Sequence, residues 1–149
     1  MSGTIETIRT YPAKGEAGRE LTEARLVENM GLEGDFHAKG GDRQISLVSA
    51  ETRELITRQM ENGQGMQGLC FSRFRENISV RGLTVPGLTV PRLTVGDAVL
   101  EITGETKHCH EECSLYEAGK SCPLAGRNLF ARVLKGGVIR TGDKVEFAQ

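Results

Sequence analysis

A chain of 149 residues is long enough for one domain and too short for two comfortable ones. Its 38% hydrophobic and 26% charged residues are a globular composition, and a domain this size buries about 70% of its unfolded surface, so it needs no disulfides to fold. A net charge of −1 argues against a non-specific nucleic-acid binder, which needs a basic excess to release counterions.

Thr4 to Thr10 loosely alternates Ile5 and Ile8 with polar residues and stops at Tyr11-Pro12, which predicts a first strand. After a loop rich in Gly, Ala, Lys and Glu, Leu21 to Asn29 reads as a second strand, cut short by Gly31 and Gly34. The glycine-dense stretch Gly31 to Arg43 predicts no regular element. Gln44 to Val48 predicts a short strand. Ser49 is then an N-cap and Glu51 a first-turn acid for a helix over Ala50 to Met60, with Leu55, Ile56 and Met60 on one face. Asn62-Gly63 ends that helix, and a glycine-rich loop follows.

Asn77 to Arg81 alternates as a strand. The triplet LTVP, LTVP, LTV over 83–95 predicts an extended connection, because Pro86 and Pro91 forbid a helix there. Asp97 to Thr106 predicts a strand whose end delivers Lys107-His108-Cys109-His110. A short helix is expected over Asn128 to Leu134, with Leu129, Phe130, Val133 and Leu134 inward and Gly136-Gly137 as its C-cap. Val138-Ile139, a turn at Thr141-Gly142-Asp143 and a last strand from Lys144 to Phe147 close the chain. Strands and helices do not alternate, so the fold class expected is mainly β: a compact bent sheet or small barrel with two or three short helices, forming a single domain over 1–149. The turns Gly96-Asp97 and Gly142-Asp143 fall where hairpins or barrel corners belong.

No apolar run approaches the roughly 20 residues that span a bilayer, and Met1 to Thr10 contains no signal-peptide core; no membrane association and a cytoplasmic location are expected. There, four cysteines stay reduced unless they are catalytic, redox-sensing or metal-bound. Cys70, between Leu69 and Phe71, reads as a buried structural thiol. The dense chemistry lies in HCHEECSLYEAGKSC, residues 108–122. A thiolate is both nucleophile and soft metal ligand, and Lys107 or a protonated His108 or His110 is placed to stabilise it. Three readings are open from the residues: incidental thiols, a zinc site built from Cys109, Cys113, Cys122 and one histidine, or a reactive or cofactor-binding thiol with redox partners beside it.

Taken in order, GLEGDFHA at 31–38, RQISLV at 43–48, RFRENISV at 73–80, LTVGDAVLEI at 93–102, KHCHEEC at 107–113 and LFARVLKGGVIRTGDKV at 129–145 resemble the MOSC domain, named after the C-terminal part of molybdenum cofactor sulfurases. The likeness runs from about Thr4 to Phe147 and is greatest to small stand-alone bacterial members. It implies a β-barrel-like fold and binding of the molybdenum cofactor, molybdopterin, with Cys109 as the metal's thiolate ligand. It also implies that Arg75 and Asn77 line the cofactor and that Lys14 meets its phosphate. A guanidinium forks onto phosphate or pterin oxygens, and an amide both donates and accepts. Arg43 would anchor phosphate or pair with Asp35 or Asp42, while Asp35 reads as the acceptor of an Asx turn. His37, beside Phe36, reads as packed, with ligand or proton donor as the alternative.

The expected function is a molybdenum-cofactor-binding protein that reduces N-hydroxylated compounds with electrons from a separate donor protein, His108 or His110 supplying protons. The alternative is a sulfur carrier, without cofactor, bearing a persulfide on Cys109 that Cys113 resolves after loading by a sulfur-donor protein. A zinc-stabilised binding domain is the third reading.

Overall fold

A computed structural model describes residues 2–13, 17–62, 75–83, 92–105 and 128–148. Its strands are β1 (Ser2–Thr10), β2 (Arg19–Leu21), β3 (Glu23–Val27), β4 (Gly31–Leu32), β5 (Ile45–Ser49), β6 (Ile78–Arg81), β7 (Arg92–Val95), β8 (Ala98–Glu105), β9 (Asn128–Lys135), β10 (Gly137–Arg140) and β11 (Lys144–Ala148). One helix, α1 (Ala50–Asn62), lies among the described residues.

The main sheet runs β11-β7-β8-β9-β5-β6-β1-β2, and β11 also pairs with β1. That pairing, Ser2 to Thr4 against Glu146 to Lys144, closes seven strands into a barrel and leaves β2 outside the ring. The fold is mainly β and barrel-like, as the strand count predicts. A second sheet, β10-β3-β4, adds Leu26, Leu32 and Ile139 to the same core.

Two-residue alternation builds the interior. Ile45 and Leu47 of β5, Ile78 and Val80 of β6, and Leu93 and Val95 of β7 all point into the core cluster. On β5 the opposite face is buried as well, since Ser46 and Val48 are covered from outside. Neighbouring β5 and β6 run parallel, which requires a crossover, and α1 supplies it. The helix begins as the sequence predicts: the Thr52 N–H donates to the Ser49 hydroxyl at 3.0 Å. Its buried face differs from the expected one. Thr52 and Ile56 face inward, whereas Leu55 and Met60 are exposed. The turn at Gly96-Asp97 is a two-residue hairpin between β7 and β8, with Gly96 at φ 55°.

The expected helix over Asn128 to Leu134 is instead β9. Leu129, Ala131 and Val133 are buried while Phe130, Arg132 and Leu134 lie less deeply, a period of two. Apolar residues occupy both faces of this strand, and that imitated a helical spacing. Gly136 and Gly137 are therefore not a C-cap. A Cβ at Gly136 would fall 2.6 Å from the Leu26 carbonyl oxygen, so the glycine gives the second sheet room to approach the barrel. Gly31-Leu32, in the stretch expected to hold no regular element, forms the short β4 against β3. Among the described residues no helix is long and apolar enough to cross a membrane.

Candidate functional site

Along the parallel pair β5 and β6, backbone and side-chain hydrogen bonds leave the regular ladder and join into a polar seam. Asn77, one residue before β6, is its centre and is 2% exposed. Its Oδ1 accepts the Ser46 N–H at 3.0 Å, and its Nδ2 donates to the Arg9 carbonyl at 3.1 Å and to Asp35 Oδ1 at 3.2 Å. One amide thus ties β5, β1 and the glycine loop after β4 together.

Asp35 is the acceptor of that loop. Oδ1 also takes the Tyr11 N–H at 2.8 Å, and Oδ2 takes the His37 N–H at 3.0 Å, the Asx turn expected from the sequence. His37 Nδ1 lies 3.3 Å from the same Oδ2, and its ring sits 3.8 Å from that of Phe36. Gln44 holds the far end of the loop: Nε2 donates to the Gly41 carbonyl at 2.9 Å and Oε1 accepts the Val133 N–H at 2.9 Å. The Thr103 hydroxyl donates to the Asp42 carbonyl, so the loop also reaches β8. Ser46 extends the seam the other way, donating from Oγ to Asn128 Oδ1 at 3.0 Å at the start of β9.

Two exposed guanidinium groups flank the seam. Arg75 lies over the Tyr11 ring, 5.6 Å from its centroid, and Arg43 over the Phe130 ring at 4.8 Å. The expected pairing of Arg43 with Asp35 or Asp42 is replaced by this stacking, because Asp35 is already filled by donors from Tyr11, His37 and Asn77. Arg75 and Arg43 reach the β5–β6 pair from opposite sides, through β1 and β9 respectively. Next to Arg75 in the chain, the buried carboxylate of Glu76 accepts from Arg53 of α1 through both oxygens, at 2.9 Å to Nε. Burial, then the Glu76 carboxylate, pushes the Tyr11 hydroxyl above its ordinary value, so the ring stays a neutral platform. Beside it, Arg9 Nε and Thr10 Oγ1 are buried with no partner among the described residues.

Of the residues singled out from the sequence, the structure brings Arg75, Asn77, Asp35, His37 and Arg43 to one seam. Lys14, Cys70, His108, Cys109, His110, Cys113 and Cys122 lie outside the described residues, as do residues 84–91 of the triplet. Sequence reasoning missed Glu76, Arg53, Ser46, Asn128 and Thr103. Glu76 stood inside the quoted FRENI piece, but its cation comes from a helix 23 positions earlier, and no local pattern announces that pair.

Residues 33–146 match the family model of the MOSC domain, and the chain belongs to that family. None of the curated proteins matches the sequence. Among solved structures, YuaD from Bacillus subtilis is similar with a TM-score of 0.69 and 21% identity, covering 100% of this chain and 98% of that one. YiiM from Geobacillus stearothermophilus is similar with a TM-score of 0.65 and 18% identity, over 99% of this chain and 75% of its own. YiiM from Escherichia coli gives 0.64 and 17%, over 100% and 70%. At these identities the likeness is one of fold.

Proposed function

We propose that this MOSC-domain protein binds the molybdenum cofactor and, with electrons from a separate redox protein, reduces N-hydroxylated compounds. The observation that supports the reading is the pair of guanidinium groups, Arg75 and Arg43, held on aromatic rings beside the seam. The glycine loop bearing Arg43 is fastened at Thr103 to β8, Arg75 lies over Tyr11 just after β1, and in the sequence Cys109 follows the end of β8 by four residues.

The residues present fit the group. A pterin with a phosphate arm needs cations and neutral hydrogen-bond donors, and the seam offers Arg75 and Arg43 on aromatic platforms. The buried donor Arg9 Nε and the Thr10 hydroxyl, with no partner among the described residues, suit phosphate or pterin oxygens. Lys14, three residues beyond Tyr11, would add a phosphate-binding charge.

When bound, the cofactor supplies two-electron redox chemistry at molybdenum. Arg75, Arg43 and Lys14 bind and orient the phosphate and pterin. Asn77 has its amide committed to Ser46, Arg9 and Asp35, so it acts by fixing the wall of the site. Cys109, as thiolate, would hold the metal, and the flanking His108 and His110 would supply protons.

The test is metal and pterin analysis of protein from a host that makes the cofactor. Stoichiometric molybdenum with pterin is expected, lost in Cys109→Ser at unchanged circular dichroism and much less affected in Cys113→Ser. Metal-free protein with labile sulfane sulfur would overturn the reading in favour of a sulfur carrier, and stoichiometric zinc in favour of a zinc-stabilised binding domain. Equal loss from both substitutions would mean a shared metal site and would overturn the ranking of Cys109.

A further inference from the structure

We infer that Asp35 and His37 form a proton-transfer dyad in which buried Asp35 is the positioning residue and His37 Nε2 the atom that takes up and gives the proton. Its role in turnover rests on the reading above.

Four donors converge on the Asp35 carboxylate: the backbone N–H groups of Tyr11 and His37, Asn77 Nδ2 and the His37 ring. The Asp35 side chain is 0% exposed, so no water competes for these oxygens. With N–H donors already placed on both of its oxygens, the carboxylate acts here as an acceptor. The proton shared with the ring therefore sits on His37 Nδ1, and Nε2 carries the lone pair. The imidazole is 40% exposed and rests against Phe36, so the ring is held in place while one edge meets solvent.

The Asx turn alone does not require this. It needs the Asp35 carboxylate and the backbone N–H of residue 37, and any side chain at 37 would serve. A ring locked by a second contact to the same oxygen is the arrangement of an oriented acid–base group. The dyad is also wired to the seam, since Asp35 Oδ1 accepts from the N–H of Tyr11, beneath Arg75, and from Asn77 Nδ2.

In the proposed reaction R–NH–OH takes up two electrons and two protons to give R–NH2 and water. The N–O bond breaks, an N–H bond and an O–H bond form, and both electrons come from the separate redox protein. His37 gives the proton of the new O–H bond from Nε2 and takes a replacement from solvent at its exposed edge, and the proton of the new N–H bond comes from His108 or His110.

Ring nitrogen-15 spectra of the cofactor-free protein test the dyad without any turnover. The chain has three histidines, so loss of one set of signals in His37→Gln assigns the residue. At alkaline pH we expect a bare Nε2 and a protonated Nδ1, relaxing to a mixed tautomer in Asp35→Asn; protonated Nε2 in the native protein would overturn the inference. His37→Gln carries the second arm, because a half-exposed side chain can be replaced without unfolding the loop. With molybdenum content equal to wild type, reduction of a hydroxylamine should fall at least tenfold. An unchanged rate at full loading would overturn the dyad's role in turnover and leave cofactor binding standing. If the native protein takes up no molybdenum, the reading itself fails, and the ring spectra alone decide the dyad.

Discussion

Inside the barrel, Leu100 and Val133 are surrounded by apolar side chains, and another residue of similar volume would satisfy the same neighbours. Across the outer face, Asn77, Asp35 and Gln44 are buried just as deeply, but each is held by hydrogen bonds of fixed donor and acceptor sense. The wall accepts other apolar side chains of similar volume, whereas the seam depends on the sense of each donor and acceptor. Stability and specificity of placement therefore reside in different parts of one small molecule.

The sharpest way to break this comparison is Asn77→Ala. It removes three hydrogen bonds and leaves the Ser46 N–H and the Arg9 carbonyl without that partner, at about 1–3 kcal/mol for each buried orphan. We expect about 3 kcal/mol from denaturant unfolding and a Tm lower by about 9 °C. A loss under about 1 kcal/mol would mean that water repairs the seam and that it specifies little.

Gly136→Ala probes the wall at its closest approach to the second sheet. The added methyl meets the Leu26 carbonyl and not a flexible side chain, so about 1–3 kcal/mol of overpacking is expected from the same measurement. No loss would show that the two sheets can separate slightly, making the wall softer than its packing implies.

The smallest effect is a pH slope at Tyr11. Its folded pKa is raised, so the folded state keeps a proton that the unfolded chain releases. The stability tied to that hydroxyl is fully present below about pH 10, the unfolded value, and is lost as the pH climbs towards the folded one. Tyr11→Phe should flatten the fall in Tm between pH 9 and 11 relative to wild type. An identical slope in both proteins would sink the assignment of a neutral, shielded platform beneath Arg75.

These two regions also differ in how far the sequence announces them. Alternation and GD turns made β1, β8, β11 and the hairpin at Gly96-Asp97 legible, and Ser49 announced the start of α1. Alternation is masked at β9 because Ala131, the inward residue between Leu129 and Val133, is small, while its less buried neighbours Phe130 and Leu134 are large and apolar. Within α1, Leu55 and Met60 are more hydrophobic than Thr52, yet Thr52 faces inward, where its hydroxyl accepts from that of Ser49. The family pieces brought Arg75, Asn77, Asp35, His37 and Arg43 into view, while the partners Glu76 found in Arg53 and Ser46 in Asn128 join positions far apart in the chain. Such pairs exist only once the sheet has formed.

The closure of β1 against β11 has a consequence for how the molecule comes into being. Thr4 must wait for Lys144 to leave the ribosome before its backbone finds a partner there, and β7 must wait for the same strand. Contacts of such long sequence separation form late and slowly. Until then the nascent chain presents open strand edges, so during synthesis it depends on whatever shields those edges from other chains.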